Sequence, residues 1–309
     1  MSIYYHTVGK ACLLLSGIFL ISCASTVQVT KQETFEADYS QYQLIGPKKR
    51  IFITEFSNRS AYGQRRLGQG ISDILATELA RTNLFLLLER EKLAVLLNEQ
   101  SLAETGIISE HTAPEYGKLL GANAVITGSV TQFGVRTETH DIILTSGKKQ
   151  IATCVVDLRI VDVNNGSIIW AGSGQGEAVR SYTNILGSGK AGGYDEALEG
   201  EAFRAAIVSV MENMVAALNS MPWFCTVAKV SSDKIYINAG RKSNLNVGTE
   251  LVFYEVGEAI VDPTTGMEIG REETRIGTGE VISHFGDDGA VVALTEGTAP
   301  VVGGICRVL

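Results

Sequence analysis

A glycine-rich motif at residues 187–192 is the first candidate for chemistry, because motifs of this kind bind nucleotides. Gly187, Gly189 and Gly192 match the pattern G-x-G-x-x-G and precede a predicted helix. A dinucleotide site also needs a strand–helix–strand unit and an acidic residue at the end of its second strand. The helix here runs instead to Pro222 and into a different region. We interpret the motif as a flexible loop or hairpin and predict no bound cofactor.

Side chains that could act as acids, bases or metal ligands are widely scattered. After the N-terminal segment the histidines are His111, His140 and His284, and the sequence contains neither H-E-x-x-H nor G-x-S-x-G. The acidic pairs Glu272-Glu273 and Asp287-Asp288 fall in polar, turn-like stretches that are typical of solvated surface. We therefore predict no catalytic site and no metal site, and we expect that the protein is not an enzyme.

The cysteines divide into two groups, Cys12 and Cys23 near the start and Cys154, Cys225 and Cys306 further on. Cys225 and Cys306 lie near the two ends of the C-terminal region, and the first and last strands of a small β domain are often neighbours. In an exported protein these two thiols could form a disulfide. The alternative is a pair of buried free thiols, which behave as small apolar residues. Sequence alone does not fix the pairing.

The N-terminal segment ends in Leu20-Ile21-Ser22-Cys23. Lys10 supplies a weak positive flank to the apolar run Ala11–Ile21. That run is shorter than the about 20 apolar residues that a membrane-spanning helix needs, but it has the length of the apolar region of a secretory signal. Small Ser22 stands where a signal peptidase would cut, directly before Cys23. The pattern resembles the lipobox of bacterial lipoproteins.

The lipobox resemblance implies a compartment and an anchor. Residues 1–22 would be the signal peptide, cleaved between Ser22 and Cys23, and the Cys23 thiol would carry the lipid, including palmitate chains. Ala24, where an Asp would favour inner-membrane retention, is consistent with the bacterial outer membrane and a protein that faces the periplasm. An ordinary signal peptide with Cys23 beside the cut by chance is the alternative.

Composition limits the partners. The 309 residues are 45% hydrophobic and 19% charged, which is typical of a globular chain with room for two modest domains. The net charge of −8 leaves no basic stripe to bind a phosphate backbone. We therefore exclude nucleic acid as a partner.

The order of the predicted elements indicates an α/β core domain at residues 49–221 behind a polar tether at residues 23–48. The elements are a strand at 50–56, a helix at 67–79, a strand at 84–88, helices at 89–102 and 114–120, a strand at 124–130, a long hairpin at 129–163 that turns near Ser146-Gly147-Lys148, a tight turn at Asn165-Gly166, and a helix at 196–218. Pro222 ends the last helix and marks the boundary of this domain.

The C-terminal region, residues 222–309, is different in kind. Short strand-like runs alternate there with Gly, Asn and Asp turns, and no helical pattern interrupts them; the runs are 226–230, 234–238, 250–255, 279–284 and 290–294. We expect a small antiparallel barrel or sandwich.

Three stretches of the core domain carry a resemblance to a known family. They are Phe85-Leu-Leu-Leu-Glu-Arg90 with Leu93 and Leu96-Leu-Asn-Glu99, then Ala122-Asn-Ala-Val-Ile-Thr-Gly-Ser-Val130, and Val156-Asp-Leu-Arg-Ile-Val-Asp-Val163 with Asn165-Gly166. In this order, downstream of a lipobox, they resemble the CsgG/HfaB family of curli-type secretion lipoproteins. The region after Trp223 resembles the C-terminal β domain of relatives of flagellar assembly protein T.

The family resemblance implies a ring-forming homo-oligomer in the outer membrane. Each copy would lend two hairpins to a shared barrel, through which unfolded curli-type protein subunits pass without a cofactor. A loop after the first strand would narrow the pore. Here that loop is Ser57–Gly63, with Asn58 and Tyr62 as its candidate lining residues; the alternative for Tyr62 is an ordinary surface aromatic.

The charge pattern of the first hairpin favours a second interpretation. Polar and charged residues fall on both faces of the segment that would cross the membrane, with Arg136, Glu138 and His140 on one face and Thr137, Thr139 and Asp141 on the other. The chain would then be a non-channel lipoprotein that faces the periplasm. It would bind and regulate a cell-envelope assembly, such as a cell-wall synthase or a flagellar or envelope complex.

Overall fold

Long strands dominate the first half of the fold. The computed structural model describes residues 37–63, 66–89, 121–142, 145–185, 196–264, 266 and 268–309. The first sheet contains β1 (Lys49–Ile53), β2 (Ser57–Asn58), β3 (Phe85–Leu88), β4 (Ala124–Ile142), β5 (Thr145–Asp162) and β6 (Ile168–Ile185). Its order is β3-β1-β4-β5-β6, with β2 beside β4. Strands β1, β2 and β3 run parallel to their neighbours, whereas β4, β5 and β6 are antiparallel.

Two helices, α1 (Arg66–Thr82) and α2 (Glu196–Ser220), pack on one face of this sheet. Helical spacing places four leucine and isoleucine side chains of α1 on the buried face, namely Leu67, Ile71, Leu75 and Leu79. In β5 every second side chain enters the same core, namely Ala152, Cys154, Val156, Leu158 and Ile160. The helices therefore cover the apolar face of an alternating strand pattern.

Helix α2 packs close to the backbone of strand β6 because β6 has glycines at the contact. A Cβ atom on Gly174 would lie 2.2 Å from the Ala206 carbonyl oxygen, and one on Gly176 would lie 2.1 Å from the Ala202 carbonyl oxygen. Such distances exclude any side chain at these two positions without a shift of the helix. The glycines fix how near α2 lies to the sheet.

The C-terminal region is a closed barrel, which resolves the expected choice between a barrel and a sandwich. Its strands are β7 (Cys225–Ser231), β8 (Lys234–Ile237), β9 (Glu250–Val261), β10 (Glu268–Phe285), β11 (Gly289–Gly297) and β12 (Ile305–Val308). The order around the barrel is β10-β11-β8-β7-β12-β9. Its own apolar core includes Val227, Ile237, Leu251, Phe253 and Val281.

Several predicted boundaries differ from the structure. The first hairpin turns between Ile142 and Thr145, which face each other in the register, so the predicted turn at Ser146-Gly147-Lys148 is wrong. The polar residues there continue the strand because pairing with β4 outweighs their local turn preference. Strand β12 lies outside the strand-like runs recognised in the sequence, since its four residues carry little pattern. The predicted helices at 89–102 and 114–120 and the glycine-rich motif lie outside the described residues.

The mixed α/β character with long hairpins, inferred from the sequence, is confirmed. In the described part of the chain no helix is both long enough and apolar enough to cross a membrane.

Candidate functional site

The outer part of strands β4, β5 and β6 is the first candidate surface. Helix α2 reaches as far along β6 as Arg180, whose guanidinium Nη2 donates to Glu201 Oε1 at 2.7 Å. The three strands continue beyond this ion pair to Ile142, Thr145 and Ile185, with every residue in register. We call this outer part, residues 136–142, 145–151 and 179–185, the strand extension.

Among the residues whose side chains the structure describes, both faces of the strand extension carry a row of polar or charged residues. The last apolar row under the helices is Val135, Ala152 and Ala178; the next row on that face is Thr137, Gln150 and Arg180. A row on the opposite face consists of Glu138, Lys149 and Ser181. These rows give neither face the continuous apolar band that strands in contact with lipid need.

Strand β6 forms one end of the described sheet. The backbone N–H of Gln175 donates to Ser209 Oγ of helix α2 at 3.2 Å, so this N–H points away from β5. Because N–H groups of alternate residues in a strand point to the same edge, those of Val179 and Ser181 also point away from β5. A long edge strand of this kind is a template for pairing with another chain.

The predicted constriction loop is held by Asn58. The Asn58 side-chain amide donates to the Tyr62 carbonyl at 2.6 Å, and its Oδ1 accepts from the Ser60 N–H at 2.9 Å and hydroxyl at 2.7 Å. The Tyr62 ring contacts Phe133 of β4 at 5.0 Å, and Phe133 contacts buried Phe203 of α2. Tyr62 is 38% exposed, so one side of its ring lies on the fold and the other faces solvent.

The last part of the predicted tether packs on the core. The Tyr39 hydroxyl donates to Glu78 Oε2 at 2.6 Å, and Glu78, on α1, is fully buried. Arg81 and Arg204 also donate to this carboxylate. Burial, followed by the hydrogen bond to Glu78, raises the pKa of Tyr39 well above its ordinary value. We call this contact of Tyr39 with Glu78 the tether latch.

A network of polar contacts joins the α/β sheet to the barrel. Arg50 Nη2 of β1 lies 3.1 Å from Asp288 Oδ2, and the same carboxylate accepts from the Ser243 hydroxyl at 2.5 Å and from the Gly240 N–H at 2.9 Å. The Asn123 side-chain amide donates to the Phe224 carbonyl at 2.9 Å. We call this network the junction clamp.

The pKa of Asp288 reflects these partners. Burial alone would raise it, but the hydrogen bonds from Ser243 and the pairing with Arg50 outweigh burial, and the pKa is lowered from its ordinary value of 3.8. The carboxylate is therefore held in its charged form.

One of the acidic residues that the sequence suggested were solvated surface is misassigned, since Asp288 is the centre of the junction clamp. Asp287 does lie on the surface, with a side chain that is 93% exposed. Glu273 is exposed as well, and both its carboxylate oxygens accept from Arg307, at 2.5 and 2.9 Å. The error at Asp288 arises because its partners lie far away in the sequence.

The predicted disulfide residues lie opposite each other. Cys306 of β12 is the register partner of Cys225 of β7, both are buried, and both are thiols in this structure. Cys225 is hydrogen-bonded to Cys306, and burial, followed by this hydrogen bond, raises its pKa well above the ordinary value.

The predicted lipid site, Cys23, and the cleavage residue Ser22 lie outside the described residues. Within the described ranges no group of three or more His, Cys, Asp or Glu side chains is placed to hold a metal ion. The residues that sequence analysis missed are the members of the tether latch and the junction clamp. The signals available for them were two aromatic residues in a polar segment, Tyr39 and Tyr42, and a strand that begins with Lys49-Arg50.

Comparison with known proteins identifies the family. Residues 34–243 match the model of the curli production assembly/transport component CsgG. A Neisseria meningitidis protein named as a candidate lipoprotein, NMB1126/NMB1164, is 32% identical over 232 residues, covering 70% of this chain and 97% of that protein. The Escherichia coli curli production assembly/transport component CsgG is 23% identical over 230 residues, covering 68% of this chain and 83% of that protein.

Among solved structures, lipoprotein GNA1162 from Neisseria meningitidis aligns with a TM-score of 0.33 and 17% identity, covering 54% of this chain and 98% of that one. The match to the family model and the identity to the Neisseria relative NMB1126/NMB1164 show that the chain belongs to the CsgG family.

Proposed function

We propose that the protein is a lipid-anchored, outer-membrane component of the CsgG type that acts as a homo-oligomer to pass or organise exported protein subunits. It acts without catalysis. The lipid on Cys23 holds the chain at the periplasmic face of the membrane, and the strand extension joins neighbouring copies. The names of its relatives, one a lipoprotein and one a curli transport component, support this proposal.

The observation that carries the proposal is the free edge of β6 among the described residues. This strand is 18 residues long and pairs with β5 along its length. It contains no proline, and of its outward N–H groups at Val179 and Ser181 the second lies beyond the ion pair that joins Arg180 to helix α2. A second copy that adds a strand at this edge would satisfy these groups with backbone hydrogen bonds.

A second candidate function follows from the polarity of the strand extension. Charged or polar rows on both faces suit strands that stay in water better than strands that contact lipid. In that case the oligomer or monomer would remain in the periplasm and regulate a cell-envelope assembly such as a cell-wall synthase or a flagellar complex. The lipid would then be the sole membrane contact, which multiple acyl chains make stable.

Planar-bilayer recordings with the purified lipidated protein distinguish the two functions. Discrete conductance steps support a transport pore. A protein that forms oligomers but gives no conductance above a detergent-only control contradicts the pore and supports the second function.

The edge of β6 is tested with Ser181→Pro, compared with Ser181→Ala. Proline removes the outward N–H without removing a hydrogen bond to β5 and is tolerated at sheet edges. We expect Ser181→Pro to dissociate the oligomer and Ser181→Ala to leave its mass unchanged. If Ser181→Pro keeps the mass of the wild type, this edge does not join the copies.

A further inference from the structure

We propose that Cys225 and Cys306 form a disulfide in the mature protein and that this bond joins strands β7 and β12 of the barrel. We call the line along which these two strands pair the seam. The inference rests on the proposed function, since it requires export to an oxidising compartment. Three features of the structure support it: the register of the two cysteines, the length of the seam, and the position of Cys225 beside the junction clamp.

The register places the two thiols in the arrangement that a disulfide needs. Cys225 and Cys306 are direct partners in antiparallel strands, and the Cys225 thiol is hydrogen-bonded to that of Cys306. Directly opposed residues in such strands have Cα atoms about 4.5–5.5 Å apart, within the range of about 4.4–6.8 Å found in disulfides. The bond can therefore form without rearrangement of either strand.

The seam that the bond would cross is the shortest in the barrel. Strands β7 and β12 share two register pairs, whereas β12 and β9 share four and β10 and β11 share eight. Hydrogen bonds from the Val227 N–H to the Gly304 carbonyl and from the Gly303 N–H to the Val227 carbonyl extend the seam by little. Because this seam has the fewest register pairs, it is where the barrel would open first.

Cys225 adjoins the junction clamp. It follows Phe224, whose carbonyl accepts from Asn123, and it is close enough to Arg50 and Asp288 for their charges to act on its pKa. A covalent bond to Cys306 would tie the C-terminal strand to the point where the barrel meets the α/β sheet. It would also close a loop with 80 residues between the two cysteines, which restricts the unfolded chain.

The chemistry is thiol–disulfide exchange with an oxidising protein disulfide of the cell envelope. One thiolate attacks a sulfur of that disulfide, which gives a mixed disulfide and releases one thiolate of the oxidant. The second cysteine thiolate then attacks the mixed disulfide and releases the other. The two cysteines lose two protons and two electrons, and the oxidant becomes a dithiol. Because both cysteines are buried in the fold, the reaction takes place before the barrel closes.

Cys154 provides an internal control. It is buried in the apolar core of the α/β sheet, whereas Cys225 and Cys306 belong to the separate core of the barrel, and Gly176 is its register partner in β6. It should remain a thiol in the same molecule. The Cys154→Ser variant should therefore keep the disulfide, whereas Cys225→Ser and Cys306→Ser should each lose it.

The test is peptide mapping of the full-length protein purified from the cell envelope, denatured and alkylated with iodoacetamide without reductant. We expect alkylation at Cys154 and a bridged peptide pair that contains Cys225 and Cys306, and we expect alkylation of all three cysteines after reduction. Reduction should also lower the Tm by roughly 5–15 °C in wild type and in Cys154→Ser, but not in Cys306→Ser.

Two results must be kept apart. Envelope protein with all three cysteines alkylated without reductant overturns the disulfide and leaves the proposed function standing. Protein that fractionates with the cytoplasm contradicts the proposed function. In that case the protein is refolded with oxidised glutathione and the peptide mapping is repeated. A bridged peptide pair then supports the disulfide, and alkylation at Cys225 and Cys306 overturns it.

Discussion

The guanidinium of Arg50 lies 3.1 Å from the carboxylate of Asp288, although 238 positions separate the two residues in the chain. The first belongs to the first strand of the α/β sheet and the second to the turn before the last long strand of the barrel. Both side chains are largely buried, with 18% and 10% of their surface exposed. This pair and its neighbours in the junction clamp attach the barrel to the sheet.

Asp288→Asn should destabilise the junction clamp. It removes the charge that faces Arg50 and weakens the hydrogen bonds from Ser243 and Gly240, with an expected loss of about 1–3 kcal/mol in the free energy of unfolding. The control is Asp287→Asn, since that exposed neighbour pairs with Lys242 at the surface and should change stability little. The measurement is urea unfolding of both variants. Equal stability of the two variants would contradict the role of the clamp.

The stabilisation from Asp288 should depend on pH in a definite direction. Its folded pKa lies below the ordinary value of 3.8, so its contribution is fully present above that value and is lost as the pH falls through the folded pKa. The difference in Tm between wild type and Asp288→Asn should therefore shrink as the pH falls below about 4. A difference that stays constant or grows in acid would contradict this.

Gly176→Ala should destabilise the packing of helix α2 on strand β6. The new Cβ atom would lie 2.1 Å from the Ala202 carbonyl oxygen, so the helix must move, at an expected loss of roughly 1–3 kcal/mol. Gly134→Ala is the matched control, because the nearest atom to its Cβ is Thr153 Oγ1 at 4.0 Å. We expect Gly134→Ala to be neutral or mildly stabilising in thermal unfolding. A tolerated Gly176→Ala would show that the helix can shift freely.

Tyr39→Phe should weaken the tether latch. The buried Glu78 carboxylate loses a hydroxyl donor, which should lower stability by about 1.5–3 kcal/mol, the range for hydrogen bonds to charged groups. Tyr62→Phe is the control, since the ring contact of Tyr62 with Phe133 does not use the hydroxyl.

The stabilisation of the fold by the Tyr39 hydroxyl should be lost at high pH. Its pKa is raised from 10.0, so the unfolded chain ionises first, and the stabilisation falls as the pH rises above that value. The measurement is the Tm of wild type and Tyr39→Phe across this range. Equal Tm values at neutral pH would contradict the latch.

Cys23→Ala should release the protein from the membrane. Without the lipid, the chain would be recovered in the soluble periplasmic fraction, because multiple acyl chains supply a stable anchor and a single chain binds only marginally. Fractionation of cells with an antibody to the barrel measures this. If Cys23→Ala stays with the outer membrane, then the lipid is not the main anchor.

Much of the fold could be predicted from local pattern. The helical spacing of Leu67, Ile71 and Leu75 identified α1, and Pro222 marked the end of α2 two residues after its last turn. The barrel strands followed from short β-prone runs between turn residues. In these segments local preference and burial agree, which makes them predictable.

The polar contacts that hold these elements together could not be predicted. Asp288 and Glu78 resemble ordinary surface acids in sequence, and only the fold brings Arg50 and Tyr39 to them. The same applies to Gly174 and Gly176, which resemble a flexible stretch until helix α2 is placed against them. By contrast, the sequence suggests that Cys225 and Cys306 could be neighbours, because the first and last strands of a small β domain often are, and the two are register partners in the barrel.

We expect copies of this chain to assemble through the edge of β6 at the membrane. Native mass spectrometry of the lipidated, full-length protein in detergent measures this assembly. The wild type and Ser181→Ala should each show a discrete mass that is a multiple of the single chain, and Ser181→Pro should show the mass of one chain. A wild-type protein that is a single chain at every concentration tested would rule out this assembly.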